Sequence, residues 1–411
     1  MKLLFSSISN YLDVGSGAAI STRETLLELA RRGHRVRVFC GTVFDDPELG
    51  VGELFRVLSA LGVAPDVKAM EGTVEGERIA FNLIRFNDSG IEATVFVPTN
   101  AEASPRGGLP AKVETLFTRI LCDHLKSFLP DAFASYGGAK GLRAAARAAK
   151  RLGARTVFML HNLSYTRRES FRYFDEIVVP SAFAGRCYYE RLGIETQTLA
   201  PLIDPQKTLV RENTRRFVTF VNPSPEKGLY FFVGLALMFN ERRPDVIFQL
   251  VEGRGRLERL ATIPEARRLT NLYALRRVSA PSDFLKETRL LLVPSLCEET
   301  FGRVVVEAGL NGIPALCGNR GSLPELVEDS ELLLPIPSRF TPTSRILPTE
   351  EELEPWFSAV SRLWDDSSSA ASAGQRLQKR FQRYSYPVVA AQTEELFRSF
   401  AEKSDDARRL S

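Results

Sequence analysis

Short apolar runs alternate along this chain with stretches whose apolar positions recur every three or four residues, and each such pairing predicts a strand followed by a helix. Residues 2–7 (KLLFSS) read as a strand, 18–33 (AAISTRETLLELARRG) as an amphipathic helix stopped by Gly33, and 35–40 (RVRVFC) as the next strand. The series resumes with strands at 131–136, 155–161 and 176–181 and an Ala-rich helix near 138–152. A second series has strands at 216–222, 246–253, 290–295 and 314–318, with helices at 227–241 and near 303–311. Nearly all-apolar strands alternating with helices belong to parallel sheets covered on both faces. The polar, proline-bearing connector 200–208 (APLIDPQKT) separates the two series. The expectation is therefore an α/β chain of two doubly wound, Rossmann-like domains, 1–203 and 204–386. A helical tail, 387–411, is expected to cross back to the first. Residues 42–125 show no clear period and receive no assignment, and 366–374 (DSSSAASAG) reads as a loop.

Composition narrows the class. The longest apolar run, 229–239 (LYFFVGLALMF), is far short of the roughly 20 residues a membrane span needs, and reads as a buried helix. The apolar start before Ser6 is too short for a secretory signal. Net charge is +4 and nearly even in both halves, so no field of the size that binds nucleic acid is expected. Five scattered cysteines without CxxC spacing argue against a disulfide framework and a zinc site, and fit a reducing, cytoplasmic compartment. One local excess stands out. Between Lys140 and Arg172 there are nine basic residues and a single acid, Glu169. Arg143, Arg147 and Lys150 or Arg151 recur at helical spacing, which reads either as a solvated helix face or as a weak dock for anionic lipid at the inner face of the membrane.

In open parallel sheets ligands bind beyond the carboxyl ends of the strands, where loops lead into helix N-termini. Four places qualify. Gly15 and Gly17 flank Ser16 between the first strand and helix, where bare backbone approaches a ligand; the same loop serves equally as a tight turn. A dinucleotide fingerprint is incomplete there, because Ile20 stands where a third glycine is needed and no acid follows the second strand. His161, beside Asn162, ends a buried strand and is either structural or functional. In 222–228 (NPSPEKG), Lys227 and Gly228 open a helix; a lysine in a first turn opposes the helix dipole unless a phosphate sits there. In 298–321 (EETFGRVVVEAGLNGIPALCGNRG), Glu299 lies just ahead of a helix start and Glu307 about one and a half turns inside. Two unpaired carboxylates flanking the N–H groups near Phe301, Gly302 and Arg303 suit a molecule built as sugar, diphosphate and ribose.

The stretch from Glu299 to Glu307, preceded by 293–295 (VPS) and followed by Gly312-Ile313-Pro314, resembles the E-x7-E signature of retaining GT-B glycosyltransferases of family four, among the glycosyl transferases of group 1. The resemblance extends to 226–228 (EKG), Gly15 and Gly17, His161-Asn162 and Pro180-Ser181 with Phe183, over nearly the whole chain outside 42–125. It implies the GT-B fold, two Rossmann-like domains facing across a cleft, and transfer of a sugar, as by a hexosyltransferase, from a nucleotide-diphosphate donor to a hydroxyl on a glycan, a lipid-linked or a small-molecule acceptor. It implies that Glu307 holds the ribose hydroxyls and Glu299 a donor-sugar hydroxyl. Backbone near Phe301-Gly302 together with Lys227 would bind the diphosphate, with His161 reaching the transferring sugar from the other domain. No essential metal or further cofactor is implied, and no DxD motif occurs. One departure is plain: the family pattern has an arginine five residues before the lysine, where Asn222 stands here. Arg303, Arg254 or Arg256 are the candidates to replace it. The alternatives are a sugar phosphorylase or nucleotide-sugar epimerase of the same fold, or a catalytically silent protein that binds nucleotide-sugars or glycans.

Overall fold

The structure is a computed structural model, and it describes residues 1–46, 49–99 and 108–409. Residues 47–48 and 100–107 of the unassigned segment, and 410–411 of the tail, lie outside the described residues. The chain divides into two compact units. One is Met1–Leu202 joined by Val389–Ser411, and the other is Ile203–Val388.

The first unit is built on a nine-stranded sheet. Its strands are β1 (Lys2–Ser9), β2 (Arg35–Val43), β3 (Asp66–Val74), β4 (Glu77–Asp88), β5 (Ile91–Pro98), β6 (Ala132–Ser135), β7 (Arg155–Met159), β8 (Glu176–Val179) and β9 (Gln197–Thr198). Their order is β3-β4-β5-β2-β1-β6-β7-β8-β9. Successive residues of β1 serve opposite faces, the period-two signature of a strand covered on both sides. Leu3 and Phe5 join the core under the helix Gly17–Arg31, whereas Leu4 joins Phe39, Phe133 and Phe158 under the helices Ala111–Phe128 and Lys140–Arg151. The helix Tyr386–Arg409 closes the first of these faces, burying Phe397 and Phe400 there. His34 Nε2 meets Glu394 at 2.7 Å, and Lys403 meets Glu176 at 2.9 Å.

The sheet is not wholly parallel. β3, β4 and β5 pair antiparallel and then join β2 in parallel, so the segment without a clear period adds a meander to the sheet edge. β3 is exposed along most of its length, and a strand that buries little has no need of an apolar run.

The second unit holds β10 (Phe217–Val221), β11 (Phe248–Val251), β12 (Leu272–Leu275), β13 (Thr288–Val293), β14 (Ala315–Gly318) and β15 (Leu333–Leu334), all pairs parallel, in the order β12-β11-β10-β13-β14-β15. The helix Leu229–Arg242 is apolar around its circumference because it is covered twice. Phe232 stacks on Phe220 of the sheet, while Phe231 and Phe239 meet Trp356 and Phe357 of the outer helix Glu350–Asp365.

The stretch 366–374 is helical rather than a loop. Asp366 caps the helix Ser367–Phe381, its carboxylate accepting from the N–H groups of Ser368 and Ser369 at 2.9 and 3.0 Å. The small residues that resemble a loop are a packing surface. A side chain at Gly374 would collide with the Gly312 carbonyl, and this helix backs the helix Arg303–Leu310. Gly374→Val should therefore lower stability by roughly 1–3 kcal/mol through overpacking. Urea unfolding measures the loss, and an unchanged midpoint would mean that the two helices are not in contact.

Candidate functional site

In the first unit the loop from β1 to its helix is fixed by side chains. Asp13 accepts from the N–H groups of Gly15 and Asp45, both at 2.8 Å. Ser16 caps the helix Gly17–Arg31. Tyr11 donates its hydroxyl to buried Asp88 at 3.1 Å, and Arg23 binds the same carboxylate through two nitrogens at 2.8 and 2.7 Å. Asp88 comes from the end of β4, inside the segment the sequence left unread. A Cβ at Gly17 would meet nothing within 4 Å, so neighbouring atoms do not force a glycine there. His161, two residues past β7, lies 3.2 Å through Nε2 from the Thr22 hydroxyl and stands edge-on to Tyr136 at 5.7 Å. Burial pulls its pKa down to about 4, so the imidazole is neutral at pH 7. Thr22 and Tyr136 carried no sequence signal of their own.

In the second unit Asn222, Lys227, Glu299, Phe301, Gly302, Arg303 and Glu307 come from the loops that follow β10 and β13 and from the helix Arg303–Leu310. Lys227 is not in a first helical turn. It closes a short 3-10 turn, Pro225–Lys227, and the helix begins only at Leu229 after Gly228 at φ +91°. A Cβ at Gly228 would collide with the Pro294 carbonyl, so glycine is required where the turn presses on the end of β13. The Glu226 carbonyl accepts from the N–H groups of Leu296 and Cys297 at 2.9 and 3.0 Å, joining the two loops.

The two carboxylates are not unpaired. Lys227 Nζ donates to Glu299 Oε1 at 2.6 Å, and the Ser295 hydroxyl donates to the same oxygen at 2.6 Å. Arg303 Nε donates to Glu307 Oε1 at 2.8 Å, one turn along the helix. Glu307 is buried, and a carboxylate out of water needs such a partner. Arg303, a candidate for the absent arginine, therefore serves the second carboxylate in this structure. Burial works to raise the Glu299 pKa, but the Lys227 ammonium and the Ser295 hydroxyl outweigh it and hold the carboxyl below the usual range. Burial likewise opposes charge on Lys227, and Glu299 reverses the balance, leaving its pKa raised.

The helix Arg303–Leu310 starts from Gly302 at φ +83°, where a Cβ would come within 2.8 Å of Leu323 Cδ2. Phe301 packs edge-on to Tyr384 at 5.4 Å and is buried, so at this position only backbone faces the helix start. Asn222 adopts φ +68°, a conformation asparagine tolerates better than arginine does. Its carboxamide oxygen accepts from Gly255 N–H at 2.5 Å, and Arg254 on that loop pairs with Glu226 at 3.1 Å.

Comparison with known proteins places these findings. Residues 203–339 match the family model described as Glycosyl transferases group 1. No curated protein matches the chain. Among solved structures it is similar to sucrose-phosphate synthase from Thermosynechococcus elongatus, with a TM-score of 0.65 and 14% identity over 97% of this chain and 98% of that one. It is similar also to Anabaena HepE in complex with UDP and glucose, with a TM-score of 0.66 and 17% identity over 97% of this chain and 100% of the other. A third is the catalytic domain of starch synthase IV from Arabidopsis thaliana bound to ADP and acarbose, at 0.65 and 14% over 98% and 99%. These likenesses show the fold, two Rossmann-like units of the GT-B class.

The ion pair between Lys227 and Glu299 has a defined pH window. The lowered Glu299 pKa contributes stability that is present above the ordinary carboxylate value, about 4.3, and lost as pH falls through the folded value. The raised Lys227 pKa contributes stability present below the ordinary lysine value, about 10.4, and lost as pH rises through the folded one. Lys227→Met should thus lower stability at pH 7.5 by up to about 3 kcal/mol, because it strands a largely buried carboxylate, 13% exposed. The deficit should shrink as pH falls below about 4.3, where the carboxyl is protonated. Urea unfolding across this range checks it, and an equal deficit at both ends would contradict the pairing.

Proposed function

We propose that this chain is a retaining glycosyltransferase that moves a sugar from a nucleoside-diphosphate donor to a hydroxyl acceptor, without a cofactor or an essential metal. The observation that carries the reading is the pair of carboxylates, each held by a cation, around the start of the helix Arg303–Leu310. The match of residues 203–339 to group 1 supports it. So do the UDP and glucose bound to HepE and the ADP bound to starch synthase IV, both similar in structure to this chain.

On this reading Glu307 accepts from the ribose hydroxyls, and Lys227 with the N–H groups at Phe301–Arg303 takes the diphosphate. Glu299 accepts from a hydroxyl of the sugar, and in the first unit Gly15 and Gly17 leave backbone open to a ligand. His161 of the first unit, neutral, offers a hydrogen bond rather than a charge. Lys227 is already bound to Glu299 when the donor arrives. The diphosphate therefore replaces a carboxylate at the ammonium, and Glu299 is released toward the sugar as the phosphate is captured. Charge on the departing diphosphate is met by groups already in place, which is where electrostatic catalysis is strongest.

A second reading, a silent protein that binds nucleotide-sugars or glycans, is favoured by Asn222 alone. Slow donor hydrolysis in the absence of acceptor separates the two, since a silent binder releases no free sugar; the anomer formed on a transferred product tests retention.

The two carboxylates should have separable effects. Glu307→Gln weakens a charged hydrogen bond that persists in ground and transition states, so the donor KM should rise about tenfold with kcat little changed. Glu299→Gln should lower kcat instead, because negative charge beside the sugar matters most as that sugar becomes cation-like. It should also bind the nucleoside diphosphate at least as tightly as wild type, since Lys227 loses its competitor. Steady-state kinetics and calorimetry with the diphosphate decide; identical behaviour of the two variants would leave only an acidic helix start.

Membrane contact is part of the proposal. Among the described residues no helix is long and apolar enough to cross a membrane. Arg147 and Arg172 both lie against the Tyr173 ring, bringing the basic helix Lys140–Arg151 and the basic segment after His161 onto one surface. That surface would hold the chain to the inner face of a membrane carrying a lipid-linked acceptor. Co-sedimentation with anionic but not neutral vesicles at low salt is expected, and no binding to either would leave a solvated helix face.

A further inference from the structure

We propose that Arg320 and Gly321, in the loop after β14, are positioning residues that fix the backbone of Glu299 at the donor site. The inference rests on the reading of Glu299 given above, but its geometry stands by itself. The Arg320 guanidinium spans two carbonyls, donating through Nη1 to Leu296 O at 2.7 Å and through Nη2 to Pro337 O at 3.0 Å. Two residues on, Ser322 N–H donates to the Glu299 carbonyl at 2.8 Å. Between them Gly321 sits at φ +63°, pressed against the Glu299 peptide. An added Cβ there would lie 2.5 Å from Glu299 O and 2.8 Å from Glu298 C, and would collide with Glu299 N. These are backbone atoms and cannot swing aside, so the close approach demands glycine.

The same short loop is held from its other side by the Lys227 turn, through the Glu226 carbonyl and the contact of Gly228 with Pro294. Residues 296–299 are thus gripped between two loops. One carries the cation Lys227, and the other, through Arg320 and Gly321, sets where the carboxylate stands to meet it. The 2.6 Å bonds from Lys227 and Ser295 to Glu299 tolerate little displacement. A planar fork that reaches two carbonyls at once is arginine's geometry, and a lysine at 320 would reach only one.

Arg320→Ala, Arg320→Lys and Gly321→Ala, each first confirmed as folded by its urea midpoint, test the proposal with two readouts. The first is turnover of a nucleotide-sugar donor, by transfer or by hydrolysis. The second is the titration of the Glu299 carboxyl followed by carbon-13 NMR, which needs no activity. For Arg320→Ala and Gly321→Ala, kcat should fall about ten- to a hundredfold, the usual consequence of a displacement near 1 Å, with nucleoside-diphosphate binding retained. Glu299 should titrate higher than in wild type as it loses Lys227. Arg320→Lys should be intermediate, and added guanidinium ion should restore part of the activity of Arg320→Ala where sodium at equal ionic strength does not. Wild-type titration of Glu299 in both Arg320→Ala and Gly321→Ala would overturn the proposal, whatever kcat does. If wild type turns over no donor at all, the functional reading fails, and the titration still decides the clamp.

Discussion

A carboxylate removed from water must meet a cation or a set of hydrogen-bond donors, and the second unit is arranged around that requirement at Glu299. Lys227 supplies the cation from the adjoining loop, and Ser295 adds a donor. To bring them there, the lysine's turn has to lie flat on the end of β13, which Gly228 permits. On the proposed reading the resting site is consequently occupied by its own charges: both of its cations, Lys227 and Arg303, are already bound to a carboxylate. An anion that enters must compete, and it wins only if it satisfies the cation while something else satisfies the acid. On the proposed reading, a molecule carrying both phosphate and hydroxyl groups does this. Selectivity of this kind arises from mutual satisfaction rather than from shape.

How far the sequence foretold this depends on the range of the interaction. The alternation of apolar strands with helices was plain because β1 and β10 are buried on both faces and have no polar side to hide. Glu299 and Glu307 were conspicuous because both belong to one short stretch. Their partners were not equally visible. Arg303 is four residues from Glu307 and in view, but Lys227 stands 72 residues from Glu299, and nothing local indicates that the two touch. β3 was lost for the opposite reason to β1: it buries almost nothing, so its pattern obeys no period. Residues 367–374 were misread because smallness has two causes. In a loop it gives freedom, and in this helix it gives proximity to Gly312.

Asn222 shows how a departure from a family pattern acquires a local cause. The residue turns through a left-handed conformation, and its side chain ties down the loop that carries Arg254. Glycines at 253 and 255 let that loop lie against Asn222, Pro223 and Ser224. A long side chain at 222 would forgo the tie to Gly255. The asparagine joins two loops at this point.

The helix that begins at Tyr386 rejoins the first unit from Val389 onward, placing Phe397 and Phe400 in a core that also holds Leu3 and Phe5. During synthesis the strands of that unit therefore leave the ribosome with one face only partly covered, by the helix Gly17–Arg31, and they wait through the whole of the second unit before the segment that completes the cover is made. The second unit, Ile203–Val388, is contiguous and can close first. The nascent first unit is the part that needs protection from association in the interval. A chain cut before Val389 would keep that need permanently.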